Sequence, residues 1–244
     1  MVAVRPFGRL ARMRTASEHG TRERILAEAE ASLGEHGYHG TRLHEIASRV
    51  GIQKASLFHY FPSKDDLYRA VVDEGFGETE QTIRRVFDGA TGPLEKLRTL
   101  IEAYVDMVAA HPQRTKILLR QSLGDAPEGY EPPSSDRLLR VVVNFVTEAQ
   151  QAKLFAAIDP MALVLSVVGM VAFFFTSAPV IAPSWLRHPH DTVSIERVKR
   201  HVMEVVERCL DSRQRSATGS QSGGEEIRDT RAGGSSAGGL AVDR

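Results

Sequence analysis

Gln53, Lys54, Ser56 and His59 place four hydrogen-bonding side chains on one side of a short predicted helix, while Ile52, Leu57 and Phe61 fall on the other. An amide suits the N6/N7 edge of adenine, and an ammonium suits the O6/N7 edge of guanine. The chemistry open to this stretch is recognition of base edges in duplex DNA, with the apolar side as its anchor. Lys64 is expected near the start of the next helix, where its ammonium and the free backbone N–H groups can meet one phosphate.

Such a helix needs neighbours to hold it. Leu43, Ile46, Ala47 and Val50 recur at i, i+3, i+4 and i+7, which predicts a supporting helix with Thr41 as its N-cap. Gly51 then supplies the positive φ at which helices commonly end. Pro62 stops the second helix, and Ser63 with Asp66 forms a capping box that opens a third. Before the pair, Ile25, Leu26, Ala29 and Leu33 mark a helix from about Thr21 to Glu35 that stops before Gly37. The layout is a helix-turn-helix, in which the second helix enters the major groove.

The block Ile46-Ala47, Val50-Gly51-Ile52, Lys54-Ala55-Ser56-Leu57-Phe58-His59-Tyr60-Phe61, Ser63-Lys64 and Leu67 resembles the N-terminal domain of TetR-family transcriptional regulators, without a gap. The likeness runs from Thr21 to roughly Ala70, about a quarter of the chain. It implies an all-α protein whose three N-terminal helices bind DNA and whose remainder binds a small ligand and dimerises, most members being repressors. The DNA contacts expected on this ground are Thr41, Arg42, Gln53, Lys54, Ala55, Ser56, His59, Tyr60 and Lys64. Two positions depart from the pattern. Gln53 stands where a capping Ser is usual, and Phe58 stands where a Tyr hydroxyl often meets a phosphate.

Other chemistries fail on their residue sets. His44-Glu45 opens like H-E-x-x-H, but Ser48 replaces the second His, so no two-nitrogen zinc face forms. The pairs His36/His39 and His188/His190 lack Cys or paired carboxylates to complete a metal site. Gly234-Ser235-Ser236-Ala237-Gly238 matches G-x-S-x-G literally, yet no strand precedes it to strain the Ser. No phosphate loop or dinucleotide fingerprint appears, so no enzyme, metal or cofactor is expected.

Formal net charge is zero over 244 residues, but residues 1–24 hold six Arg against Glu18 and Glu23. Such an arm can add salt-dependent attraction to DNA or simply be a solvated extension; it also superficially resembles a transit peptide. Cys209 is the only cysteine, so no intrachain disulfide can form. With no secretory h-region, a cytoplasmic protein is expected. Met161–Ala182 carries no charge or His over 22 residues, long enough to span a bilayer. Pro160 at N1 after the Asp159 cap, the interruptions at Ser166, Gly169, Thr176 and Ser177, and the stop at Pro179 favour a buried helix instead, and no membrane is expected.

The expected organisation is a basic disordered arm (1–20), the helix-turn-helix domain (21–68), a helical regulatory and dimerisation domain (69–211) and a disordered Gly/Ser-rich tail (212–244), with about nine helices. Later helices are expected from Ser63 to about Asp88, with breaks at Gly75 and Gly77, from Pro93 to His111, and over Gln113–Leu123, Asp136–Phe155, Asp159–Ala178 and Ser194–Leu210. The family likeness places a pocket for a largely apolar small molecule among Tyr104, Met107, Asn144, Phe145, Glu148, Met170 and Phe173. It also places a homodimer interface on the last two long helices, through Val164, Val168, Val171, Phe175, Val198, Val202, Val205 and Cys209. A two-fold dimer presents two recognition helices to a palindromic operator. An activator, or a regulator controlled by a protein partner at Val141–Phe155 or the tail, is the alternative.

Overall fold

A computed structural model describes residues 7–89, 92–131, 135–186 and 188–211, with the backbone alone for 7–19, 135 and 136. Residues 1–6 of the arm and the tail from 212 lie outside the described residues. All regular structure among the described residues is helical: α1 (Phe7–Gly40), α2 (Leu43–Val50), α3 (Lys54–Tyr60), α4 (Lys64–Gly89), α5 (Pro93–Ala110), α6 (Pro112–Ser122), α7 (Ser135–Gln151), α8 (Pro160–Thr176), α9 (Ala178–Ile181) and α10 (Thr192–Leu210).

The helices divide between two cores. Ile25, Leu26, Leu33, Ile46, Leu57 and Tyr68 close the first, around α1 to α4, and Ile117 of α6 enters it from the other half of the chain. Ile101, Val105, Val146, Val171, Val198 and Val202 lie in the second, built from α5, α7, α8 and α10. α4 belongs to both halves: Leu67, Tyr68 and Val71 lie in the first core, and Ile83 faces the second half. The expected boundary between residues 68 and 69 therefore falls inside one continuous helix.

Several helix limits differ from expectation. α1 starts at Phe7, so residues 7–20 are helical rather than irregular. Leu10, Ala11, Arg12, Met13 and Ala16 are good helix formers with no internal proline, and Pro6 sits just ahead of the first turn. α1 kinks at Gly37, where φ is 74°. α4 runs without a break through Gly75 and Gly77. A helical glycine costs only about 1 kcal/mol, and packing on both sides outweighs that. α7 stops at Gln151, short of Phe155, because Lys153 turns the chain at φ 59° and Leu154 N–H bonds back to Ala149 C=O at 2.9 Å. A tenth helix, α9, forms within the proline-containing linker.

α8 begins as its sequence requires. The Asp159 carboxylate accepts from Met161 N–H at 2.8 Å and Ala162 N–H at 3.0 Å, with Pro160 in the first turn. Leu163, Val171, Ala172 and Phe175 bury one side of it. Among the described residues, no helix is long and apolar enough to cross a membrane.

Candidate nucleic-acid interface and regulatory cavity

Gly51 caps α2 in the left-handed region at φ 78°, and Ile52 N–H returns to Ala47 C=O at 2.9 Å. This turn sets α3 against α2. α3 has no side-chain cap at Gln53, whose carbonyl alone accepts from Ser56 and Leu57 N–H at 2.9 and 3.2 Å. At the other end, Asp66 N–H donates to Ser63 Oγ at 3.0 Å and Ser63 Oγ donates to Asp66 Oδ2 at 2.7 Å, so the capping box forms with hydroxyl and carboxylate joined directly.

Leu57 is 0% exposed and holds α3 to the core. Around it, Gln53, Lys54, Ala55 and His59 are exposed, while Ser56 and Tyr60 are half-buried. At 1.5 Å per residue α3 is about 10 Å long, enough to follow about three base pairs. Phe58 shares the exposed face at 39%, and the Lys54 ammonium lies over its ring, 5.6 Å from the centroid. Phe58 was not among the expected contacts; the i, i+3 and i+4 relation of 54, 55 and 58 is the signal that places them on one side. The rim is basic as well. Arg24 donates to Val50 C=O, Arg22 lies over Phe61 at 5.4 Å, and Arg42 forms an exposed pair with Glu45 at 3.4 Å.

Of the expected contacts, Thr41 is used elsewhere, and Lys64 also has partners within the bundle. Thr41 is 3% exposed and does not cap α2: its hydroxyl donates to Gly37 C=O at 2.7 Å and accepts from Ser32 Oγ at 3.3 Å. It braces the α1 kink and is withdrawn from any phosphate, and the cap position falls to Arg42, with no side-chain bond. Lys64 is half-buried, donates to His39 C=O at 3.3 Å and lies 4.7 Å from the Tyr38 ring centroid. Burial lowers its pKa, while the Asp125 and Asp65 carboxylates pull the other way. Tyr38 O–H in turn donates to Asp65, and burial followed by that carboxylate pushes the phenol up to about 12.

In the second half, α4, α5, α7 and α8, with Val206 of α10, line a partly open apolar cavity of about 160 Å³. Tyr104 and Met107 line it, as do Thr79, Val142, Val164 and Val168. Burial alone pushes the Tyr104 phenol up to about 12. The remaining expected lining residues lie elsewhere. Asn144 and Glu148 face solvent, Phe173 is 50% exposed, and Phe145 and Met170 pack against the core. A helix turns about 100° per residue, so these positions fall outside the arc that α7 and α8 direct inward.

The same geometry corrects part of the expected interface. Val171, Phe175, Val198 and Val202 are buried in their own subunit's core, and Val164 and Val168 line the cavity. α8 instead turns Ala162, Leu165, Ser166, Gly169 and Phe173 outward, and α10 leaves Val205 half-buried and Cys209 exposed. His201 of α10 meets Phe174 of α8 edge-on at 5.6 Å, so the two uncovered faces adjoin.

A family model described as bacterial regulatory proteins, tetR family, matches residues 25–71, and one described as the tetracyclin repressor-like C-terminal domain matches residues 90–176. The chain belongs to the TetR family. It is a DNA-binding transcriptional regulator. The HTH-type transcriptional regulator RutR of Escherichia coli (strain K12) is 25% identical over 210 residues, covering 83% of this chain and 96% of that one. The HTH-type transcriptional activator FasR of Mycolicibacterium smegmatis is 27% identical over 124 residues, 51% of this chain and 57% of that one. The structure of AibR in complex with isovaleryl coenzyme A and operator DNA has the same fold, with a TM-score of 0.60 at 22% identity over 76% of this chain and 97% of that one. In this TetR-family chain, the C-terminal match spans the α5, α7 and α8 walls of the cavity.

Proposed function

We propose that this protein is a homodimeric, cytoplasmic repressor that occupies a palindromic operator and releases it when a small, largely apolar effector enters the α4/α5/α7/α8 cavity. The DNA contacts in this reading are Arg42, Gln53, Lys54, Ala55, Ser56, Phe58, His59 and Tyr60, with residues 21–68 as the reading bundle and 69–211 as the regulatory part. The observation that carries it is the exposure of Lys54, Ala55, Phe58 and His59 on one face of a helix pinned by the buried Leu57, with Gln53 exposed at its N-cap.

The cavity supports the effector part. An apolar void near 150 Å³ takes up a benzene-sized group, so a ring or short branched chain fits as found. Tyr104 is the one tyrosine among its lining residues, and the surface it offers an occupant is almost wholly apolar. AibR, of like fold, forms a complex with isovaleryl coenzyme A and operator DNA, and the isovaleryl group is of that size and branching. Dimerisation joins the outward faces of α8 and α10, where Leu165 and Phe173 lie open. Coupling of about 1–3 kcal/mol between cavity and operator is enough for release.

Selection of duplexes from a random pool tests the core of this reading. A palindrome with half-sites about 34 Å apart, or a multiple of that, is expected from the two-fold pairing of recognition helices. An asymmetric winner of one half-site would overturn the dimeric reading. The relative FasR is named an activator, which supports the opposite sign of control. Promoter-reporter output after deletion of the gene distinguishes them: a rise marks a repressor and a fall an activator.

A further inference from the structure

Arg114 stands in the first turns of α6 and reaches both halves of the chain. Its Nε donates to Glu30 Oε2 of α1 at 2.9 Å, and its Nη1 and Nη2 donate to Glu78 of α4, the latter at 3.3 Å. The Arg114 and Glu30 side chains are only 19% and 18% exposed, whereas pairs such as Arg84–Glu80 and Arg42–Glu45 leave their Arg in solvent. His111 completes the cluster, with Nδ1 3.8 Å from Glu30 and Nε2 3.9 Å from Glu78. The guanidinium holds the Glu78 carboxyl below its ordinary range, first through the hydrogen bond.

Backbone packing makes the same junction tight. A Cβ on Gly34 of α1 would lie 2.9 Å from Gln113 Cα, so α1 and α6 meet nearly backbone to backbone. Beside Gly75 of α4, the Arg114 Cδ fills the space that a side chain would take, 3.3 Å from the Cβ position. Past this point, Glu28 of α1 holds Arg49 of α2 at 2.7 Å, which carries the connection into the reading bundle.

The cavity wall is continuous with this cluster. Thr79, adjacent to Glu78, donates its hydroxyl proton to Gly75 C=O at 2.8 Å and sets its Oγ1 3.2 Å from Met107 Sδ, and both Thr79 and Met107 line the cavity. Met107 C=O accepts from His111 N–H at 3.0 Å. An occupant that parts α4 from α5 at Thr79 and Met107 therefore displaces Glu78, one of the two carboxylates on the Arg114 guanidinium, and His111, which lies beside both carboxylates.

We infer that Arg114 is the positioning residue through which the cavity sets the seat of the DNA-reading bundle, by holding Glu30 of α1 and Glu78 of α4 on one guanidinium. This rests on the effector reading of the cavity. A lysine cannot replace it, since one ammonium does not present the planar fork that serves two carboxylates.

The test uses the full chain and the selected operator duplex, with Ala103→Phe as a built-in occupant of the cavity that Ala103 lines. Operator affinity is measured for the wild type, Ala103→Phe, Arg114→Met and the double variant, and thermal melts establish that each is folded. Ala103→Phe should weaken binding about tenfold in the wild type, within the range of allosteric couplings, and less than about twofold in the Arg114→Met background. Glu30→Gln, which keeps the shape and removes the charge, should blunt the response in the same way and replaces Arg114→Met if that variant does not fold. An equal loss in both backgrounds overturns the role of Arg114 and leaves the effector reading standing. No loss in either overturns both.

Discussion

The reading bundle and the cavity-bearing half are built from similar amphipathic helices, yet a residue's type reveals its task in one and not in the other. α3 is so short that burying Leu57 leaves a single outward face, and any polar residue on it is a contact candidate. The cavity is an absence shared by five long helices, and its lining depends on the rotation of each. Val164 lines it while Leu165 next door is 52% exposed. A local motif can specify a surface, but a void is specified only by the phases of all its walls.

The largest effect should come from Leu57→Ala, which leaves a hole in the first core and should cost about 2–5 kcal/mol in urea unfolding, while Leu165→Ala should cost under about 0.5 kcal/mol in the isolated subunit. Equal losses would erase the contrast between a pinned and an open side of these helices. Next, Phe173→Asp should raise the dimer dissociation constant by at least about tenfold, as truncating an interface anchor does, without lowering subunit stability; sedimentation at several concentrations reads it. Asn144→Asp, on a solvent face of α7, should leave assembly unchanged.

Lys54→Ala should cost about 1–3 kcal/mol on the selected operator and much less on random duplex. Lys64→Ala should lower both by a smaller, equal factor, because the ammonium serves His39 C=O and the Tyr38 ring. The smallest effect concerns pH. Burial raises Tyr104 to about 12 in the folded chain against 10.0 when unfolded, so the unfolded state releases its proton first. That contribution is complete below pH 10 and fades as pH rises toward 12. Tyr104→Phe should flatten the alkaline loss of stability by on the order of 1 kcal/mol at pH 11, read from unfolding curves.

Much of the fold was legible because its signals are local: the Gly51 turn, the Ser63–Asp66 box and the Asp159–Pro160 start of α8 each involve neighbours in sequence. The failures share a different cause. Thr41 looked like a cap, but the φ 74° kink at Gly37 put an acceptor within reach of its hydroxyl. The valines of α8 and α10 form strong stripes, and a stripe facing its own core reads the same as one facing a second subunit. Phe58 could have been found from helical spacing, whereas the Glu30–Arg114–Glu78 cluster joins residues too distant in sequence for any spacing rule.

Ile117 shows what this means for anyone hoping to transplant the reading bundle. It comes from α6 yet fills the first core beside Tyr68 and Val71. A chimaera that borrows residues 21–68 from this chain brings along a socket without its plug, so grafts between relatives should carry the matching α6 segment or expect a loosened operator fit.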